Sequence, residues 1–178
     1  MLSLPIGDTV GPVTRSSFAP VITGLHRTRS RWNPTALAEV AEQSRDPFQV
    51  LIACILSLRT QDSTTGPAAA RLFALARTPA DMLRVPVRRI QRAIYPVGFY
   101  RTKAKVIHRI CRELLDRFES RVPDDLDALL SLPGVGRKTA NLVVTMGFGK
   151  PGICVDTHVH RISNRLGWVR TKAPDETE

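Results

Sequence analysis

Proline at the head of apolar stretches is the feature that most constrains how this chain can fold. Asn33-Pro34, Asp46-Pro47, Thr78-Pro79 and Val85-Pro86 each put proline near the start of a segment whose apolar residues recur at helical spacing. In a first helical turn the missing N–H leaves nothing unsatisfied, whereas inside a helix or a central strand it removes a ladder bond. The pattern predicts helices over 34–44, 47–58, 63–76, 79–84, 87–95, 100–118, 124–130, 137–148 and 157–166. No valine-rich alternating run demands a sheet. The expected class is all-α: an orthogonal, six-helix barrel-like bundle around the hydrophobic segment 47–58.

With 178 residues, 43% of them hydrophobic, the chain has material for one good core or two small ones. No run approaches the length of a membrane span, so no membrane partner is expected. Cys54, Cys111 and Cys154 are far apart, and two lie in apolar segments, so they read as reduced, buried thiols of a cytosolic protein. No internal repeat or long low-complexity tract is present.

Between the segments 124–130 and 137–148 runs Leu132-Pro133-Gly134-Val135-Gly136-Arg137-Lys138-Thr139-Ala140-Asn141. Gly134 and Gly136 are read as taking backbone angles closed to other residues, so that bare N–H groups at the second helix's N-terminus point outward at an anion. Such a turn holds one phosphate without reading a base. A Pro-Gly-x-Gly between apolar segments is by itself only a loop. A loop needs neither the Arg-Lys pair at the mouth of the next helix nor its small-residue start. The string resembles the helix-hairpin-helix DNA glycosylase superfamily, and within it the endonuclease III-like enzymes, which are N-glycosylases with abasic-site lyase activity. The resemblance runs from about Pro34 to Trp168 and includes Pro47-Phe48 to Asp62, Val97-Gly98-Phe99-Tyr100, Val122-Pro123 and Val155-Asp156-Thr157-His158-Val159-His160-Arg161.

Lys138 in the first turn of a helix feels the positive end of the helix dipole, with Arg137 adjacent and Lys150 near in sequence. Both effects disfavour the ammonium, and desolvation in a pocket would add to them, leaving an amine able to attack C1′ of a deoxyribose and form a Schiff base. The alternative is a solvated phosphate contact, since most lysines are exposed. The resemblance implies the nucleophile. Asp156, eighteen residues later, opens a helical segment and reads on its own as an N-cap. Cleavage of a glycosidic bond develops positive charge on the sugar, which a fixed carboxylate stabilises while assisting proton transfer. The resemblance makes Asp156 the family's essential aspartate, a role compatible with capping. His158 and His160 have no second ligand pair and read as packing or backbone-binding residues, so no metal site is expected.

The apolar segment 51–58 ends abruptly in Arg59-Thr60-Gln61-Asp62. An enzyme acting on a base must extrude it and fill the gap left in the stack. In the family the loop after this helix supplies the plugging side chain, commonly glutamine. Register puts Arg59 at that place and Gln61 two residues on, and both stay open, as does the reading of ordinary helix-end polar residues. The DNA-contacting set is therefore Leu132, Gly134, Val135, Gly136, Arg137, Arg59 and Gln61. A net charge of +10 agrees with a polyanionic partner, although a ribosomal protein would match it. Acids are grouped, as in Asp124-Asp125-Leu126-Asp127, leaving Arg101, Arg109, Arg137, Arg161 and Arg165 to form basic faces.

Residues 1–32 are rich in Gly, Pro, Ser and Thr, with Asp8 the single acid against Arg15, Arg27, Arg29 and Arg31. They read as a disordered basic leader able to touch DNA, since prolines and glycines spoil the amphipathic helix of a mitochondrial transit peptide. Residues 33–168 form the expected glycosylase domain and 169–178 a polar tail at a truncation point. Family members normally continue with several helices and often a four-cysteine iron–sulfur loop. No cysteine follows Cys154, so no iron–sulfur cofactor is expected in this chain. The implied pocket lies between the barrel and a second domain, largely missing, of which helix 157–166 remains, with 34–44 a further candidate.

The expected activity is base-excision repair: removal of damaged bases, oxidised pyrimidines first among them, then β-elimination at the abasic site through Lys138. The alternatives are a non-catalytic DNA-binding hairpin module and an inactive remnant. The expected partner is double-stranded DNA with a damaged base or abasic site, met by a monomer in a bacterial-type cytoplasm at the nucleoid.

Overall fold

The computed structural model describes residues 18–178, which are helical throughout their regular structure. Helix α3 (Pro47–Ser57) forms because Asp46 Oδ1 accepts the Phe48 N–H at 2.9 Å and Pro47 occupies the first turn. It carries no charged residue, and Val50, Leu51, Ile52, Ala53, Cys54, Ile55 and Leu56 are each no more than 1% exposed. A helix apolar on every side has to be surrounded. Packed against it are α2 (Ala36–Ser44), α4 (Asp62–Phe73), α7 (Tyr100–Arg117), α9 (Arg137–Leu142) and the π turn Val143–Gly147 that continues α9. Helices α5 (Pro79–Arg84), α6 (Val87–Ile94) and α8 (Leu126–Leu130) complete this bundle, α5 and α6 through α7, which buries Ala104, Ile107, Ile110, Cys111 and Leu114. The orthogonal, barrel-like all-α architecture around segment 47–58 is the one the sequence predicts.

The helix starts show where proline was a good guide. Pro47 and Pro79 lie in first turns as expected. Pro34 lies outside α2, which starts at Ala36 because Thr35 Oγ1 accepts the Ala38 N–H at 3.2 Å. Pro86 is the N-cap of α6, one residue before its first turn.

The described residues divide into two compact units, Pro34–Cys154 and one made of residues 18–33 with 155–178, so the boundary falls inside the expected 33–168 domain. Segment 34–44, a candidate for the second domain, is corrected to the larger unit, where Ala36 and Leu37 are buried and Val40 and Ala41 pack on the core. The disordered leader is corrected from Phe18 onward: α1 (Phe18–Thr28) precedes a 3-10 turn, Arg29–Arg31, while residues 1–17 lie outside the described residues. Phe18, Val21, Ile22 and Leu25 fall on one helical stripe that composition hides, and the Phe18 ring meets Trp168 edge-on at 4.8 Å.

The tail 169–178 is polar but built in. Asn164 Oδ1 accepts the Thr171 N–H at 3.1 Å, and Thr177 Oγ1, in α11 (Pro174–Thr177), lies 2.6 Å from His160 Nδ1 in α10 (Thr157–Arg165). Its polar side chains satisfy one another, which a compositional reading does not register.

The core dependence on α3 is testable. Ile52→Ala is expected to destabilise folding by about 2–5 kcal/mol, read as an earlier urea midpoint at unchanged slope. A shift under about 1 kcal/mol would contradict a central position for this side chain.

Candidate functional site

The hairpin is held from behind by apolar anchors. Leu129, Leu132 and Val135 are 0%, 2% and 7% exposed, and successive N–H···O bonds from Leu132 to Leu129 (3.1 Å) and from Val135 to Leu132 (3.2 Å) tighten the turn. The side chains of Leu132 and Val135 are therefore core residues, and only their backbone is available to a ligand. Gly134 has φ +77°, where a side chain is strained, and an added Cβ would stand 3.0 Å from Val106 Cγ1. Gly136 corrects the paired-glycine reading: at φ −100° and ψ 175° it is ordinary extended backbone. Its use is spatial, since an added Cβ would meet no atom within 4 Å and no side chain caps α9 there. Immediately after it Arg137 and Lys138 are exposed, while Thr139, Ala140 and Asn141 turn inward.

Lys138 is thus on the surface, and the desolvation expected to help activate it is absent from the described structure. Its carbonyl accepts a 3.7 Å contact from the Cys154 thiol. Burial, chiefly, pushes the Cys54 thiol up to about 12, with Cys154 adding to the shift and the Lys138 charge opposing it. The second lysine near in sequence is engaged elsewhere: Lys150 Nζ pairs with Asp124 Oδ2 at 2.7 Å, which holds the Asp124 carboxyl below its usual value. The chain just after Lys150 lies close on α9 and the π turn, since a Cβ at Gly152 would come within 2.8 Å of Thr145 Cγ2 and 3.1 Å of Asn141 Oδ1.

Asp156 belongs to the smaller unit and caps α10, its Oδ1 accepting the N–H groups of His158 and Val159, both at 2.9 Å. The capping reading is therefore realised, and it fixes the carboxylate. His158 Nδ1 lies 3.1 Å from the Arg161 guanidinium. Among the described residues no three His, Cys, Asp or Glu side chains gather as a metal site. Cys54 and Cys111 are buried in the core, and burial pushes the Cys111 thiol up to about 12 as well, so these thiols do not fit a thiolate cluster.

The loop after α3 is the most elaborately supported part of the larger unit. Arg59 is exposed at φ +54°, an uncommon conformation for a residue with a side chain. Its guanidinium stacks 4.9 Å from the ring centroid of Phe99, itself at φ +58° and 60% exposed. Gly98 N–H donates to Thr60 Oγ1 at 3.2 Å, and any Cβ on Gly98 would strike Arg59 O at 2.7 Å. Beneath the loop Lys103, only 7% exposed, donates to Leu56 O (2.8 Å), Leu58 O (2.5 Å) and Thr60 Oγ1 (3.1 Å). Gln61 is the N-cap residue of α4: its carbonyl accepts from Thr64 and Thr65 N–H, both at 3.0 Å, and its side chain is exposed.

Sequence reasoning missed Lys103. The available signal was a lysine on the buried stripe of α7, beside Ala104 and one turn from Ile107. Burial lowers its pKa from 10.5 to about 8. Folding thus favours proton loss, and this one group raises stability as pH climbs from about 8 towards 10.5. The neutral amine has only two hydrogens for three acceptors. Lys103→Met is expected to raise amide exchange at Thr60 and Gly98 at least roughly fivefold, the equivalent of one net hydrogen bond of ~1 kcal/mol, while α3 amides stay protected. Unchanged exchange at both amides would show that the loop does not depend on this lysine.

Comparison with known proteins matches the same elements. A family model for HhH-GPD superfamily base excision DNA repair proteins covers residues 52–178. Endonuclease III of Thermotoga maritima is 53% identical over 133 residues, 75% of this chain and 62% of that protein. Endonuclease III of Escherichia coli strain K12 is 42% identical over 146 residues, 82% of this chain and 68% of that protein. Among solved structures, a non-covalent endonuclease III–DNA complex superposes with TM-score 0.82 at 38% identity, over 93% of this chain and 75% of that one. A trapped endonuclease III–DNA covalent intermediate superposes with TM-score 0.72 at 42% identity, over 80% of this chain and 72% of that one. The chain spans 62% and 58% of the lengths of the Thermotoga maritima and Bacillus subtilis relatives. Bundle, hairpin and matched residues together make this chain a member of the HhH-GPD superfamily of base excision DNA repair proteins.

Proposed function

We propose that this chain is a DNA N-glycosylase with abasic-site lyase activity, acting on duplexes that carry a damaged base, oxidised pyrimidines among them. The observation that carries the reading is the junction of turn and helix: an open, side-chain-free Gly136 followed at once by exposed Arg137 and Lys138 on a rigid, buried base. The bare turn accommodates a backbone phosphate, which positions the strand without reading sequence. Arg137 supplies charge to that phosphate.

Lys138 Nζ attacks C1′ of the damaged nucleotide, the bond from C1′ to the base breaks, and the base leaves with a proton. The C1′–O4′ bond then breaks, opening the sugar ring as O4′ takes up a proton lost from Nζ, and the Schiff base so formed makes the C2′ proton acidic. Its removal expels the 3′ phosphate by β-elimination, and water then releases the lysine. The Asp156 carboxylate stabilises positive charge developing on the sugar and assists proton transfer. Its two capping hydrogen bonds support this role by holding the carboxylate in one orientation. We assign the gap left by the extruded base to Arg59 rather than Gln61, because Arg59 projects from a loop fixed by Lys103 and Gly98 whereas Gln61 starts α4.

Borohydride trapping on an abasic-site duplex tests the chemistry. A covalent adduct with the native chain that is lost in Lys138→Ala, with DNA binding retained, is the expected result. Equal trapping by the alanine variant would remove Lys138 from the mechanism, and no adduct from either would leave a DNA-binding module. Gly136→Val tests the turn separately: folding should persist, because its φ and ψ suit any residue and the space is open. Duplex affinity should fall roughly tenfold, about 1.4 kcal/mol, as the side chain fills the phosphate's place. Native affinity in the folded variant would contradict phosphate binding there.

A further inference from the structure

Helix α6 is sharply divided, with Ile90 and Ile94 fully buried and Arg88, Arg89 and Arg92 exposed. Arg88 and Arg92 stand one turn apart on one face, where like charges repel. Two other exposed arginines pair with acids one turn away, Arg84 with Asp81 at 3.2 Å and Arg117 with Glu113 at 3.0 Å. Among the described residues none of Arg88, Arg92 and Arg101 makes an ion pair. Together with Gln91, Tyr95 and Tyr100 they line a cleft of about 420 Å³. That volume lies within the range of small-ligand sites, roughly 300–1,000 Å³.

Its aromatic floor is pre-set. Arg71, reaching across from α4, donates to Ala93 O at 2.7 Å and Tyr95 O at 2.6 Å, which pins the backbone that presents Tyr95. Tyr95 is 61% exposed and its ring meets Tyr100 edge-on, centroids 5.4 Å apart at 83°. Arg101 lies over the Tyr100 ring at 5.6 Å and its Nε donates to Tyr100 Oη at 3.1 Å, leaving its remaining guanidinium hydrogens for another acceptor. Uncompensated cations beside a held, exposed aromatic ring are the two components of single-strand recognition, charge along the backbone and a stacking face for a base.

We propose that this cleft is a second DNA site, outside the hairpin, which holds an unpaired nucleotide of a DNA strand. Arg88, Arg92 and Arg101 take its phosphates and Tyr95 stacks its base. A paired duplex offers phosphates but no free base face, so Tyr95 assigns the site to an unpaired nucleotide. The proposal does not depend on Lys138 or Asp156.

Fluorescence anisotropy across a salt series separates the two components, with two probes of equal length: an oligothymidylate and an oligomer of tetrahydrofuran abasic units. Neither forms a Schiff base, so the outcome is independent of lysine chemistry. The native chain should prefer the thymidylate by about fivefold or more, as stacking of one base implies. Tyr95→Ala should erase that preference and Tyr95→Phe retain it. The double substitution Arg88→Gln with Arg92→Gln should weaken both probes and lower the salt slope by about 1.4, from two contacts at about 0.7 each. A preference that survives Tyr95→Ala, or a slope unmoved by the double substitution, overturns the proposal. So does a double variant impaired on duplex DNA alone, which would make this face a duplex-phosphate contact.

Discussion

Burial of α3 is the constraint on which the rest of the larger unit depends. A helix with seven consecutive residues at or below 1% exposure has no face to give to solvent, so four other helices and a π turn must close around it. Both ends of that helix then become fixed points. At its start Pro47 packs so closely on the π turn that a Cβ on Gly147 would lie 3.3 Å from Pro47 Cα. At its end the carbonyls of Leu56 and Leu58 accept the buried ammonium of Lys103. The same helix carries Cys54, where the charge of Lys138 opposes the upward shift that burial imposes on the thiol.

The hairpin and the loop after α3 solve a shared problem, presenting backbone and charge at a surface without letting them wander, by different means. In the hairpin the anchors are apolar: Leu129, Leu132 and Val135 are buried and the glycines are left bare. In the loop the anchor is a cation. Lys103 supplies hydrogen bonds to the carbonyls of Leu56 and Leu58, and the left-handed conformation of Arg59 persists because its surroundings over-determine it. A buried lysine is an expensive anchor, which burial registers by lowering its pKa to about 8.

The smaller unit is held together differently again. Its helices α1, α10 and α11 contain no fully apolar buried stripe, and α10 leaves Val159 and Ile162 at 43% and 49% exposure. What joins α10 to α11 is a chain of polar side chains, His160, Asn164, Thr171 and Thr177, and what joins α1 to the turn after α10 is the edge contact of Phe18 with Trp168. Directional hydrogen bonds specify a geometry with little apolar burial.

Local chemistry written in consecutive residues was legible in the sequence: the helical spans from 47 to 117, the first-turn prolines Pro47 and Pro79, the turn at Gly134, and the capping of α10 by Asp156. Such features depend on spacing and side-chain type within a few residues, and neighbours in the chain supply most of the energy that decides them. What the sequence did not show arises where distant segments meet. The use of Gly136 as open space instead of positive φ, the exposure of Lys138, the burial of Lys103 under the Arg59 loop, and the tie of α2 to the larger unit all follow from what packs alongside. The same holds for Arg71, which grips the carbonyls of Ala93 and Tyr95 from more than twenty residues away. Burial, and hydrogen bonds across long stretches of chain, are properties of the tertiary structure, because a residue's solvent and partners exist only once the chain has closed around it.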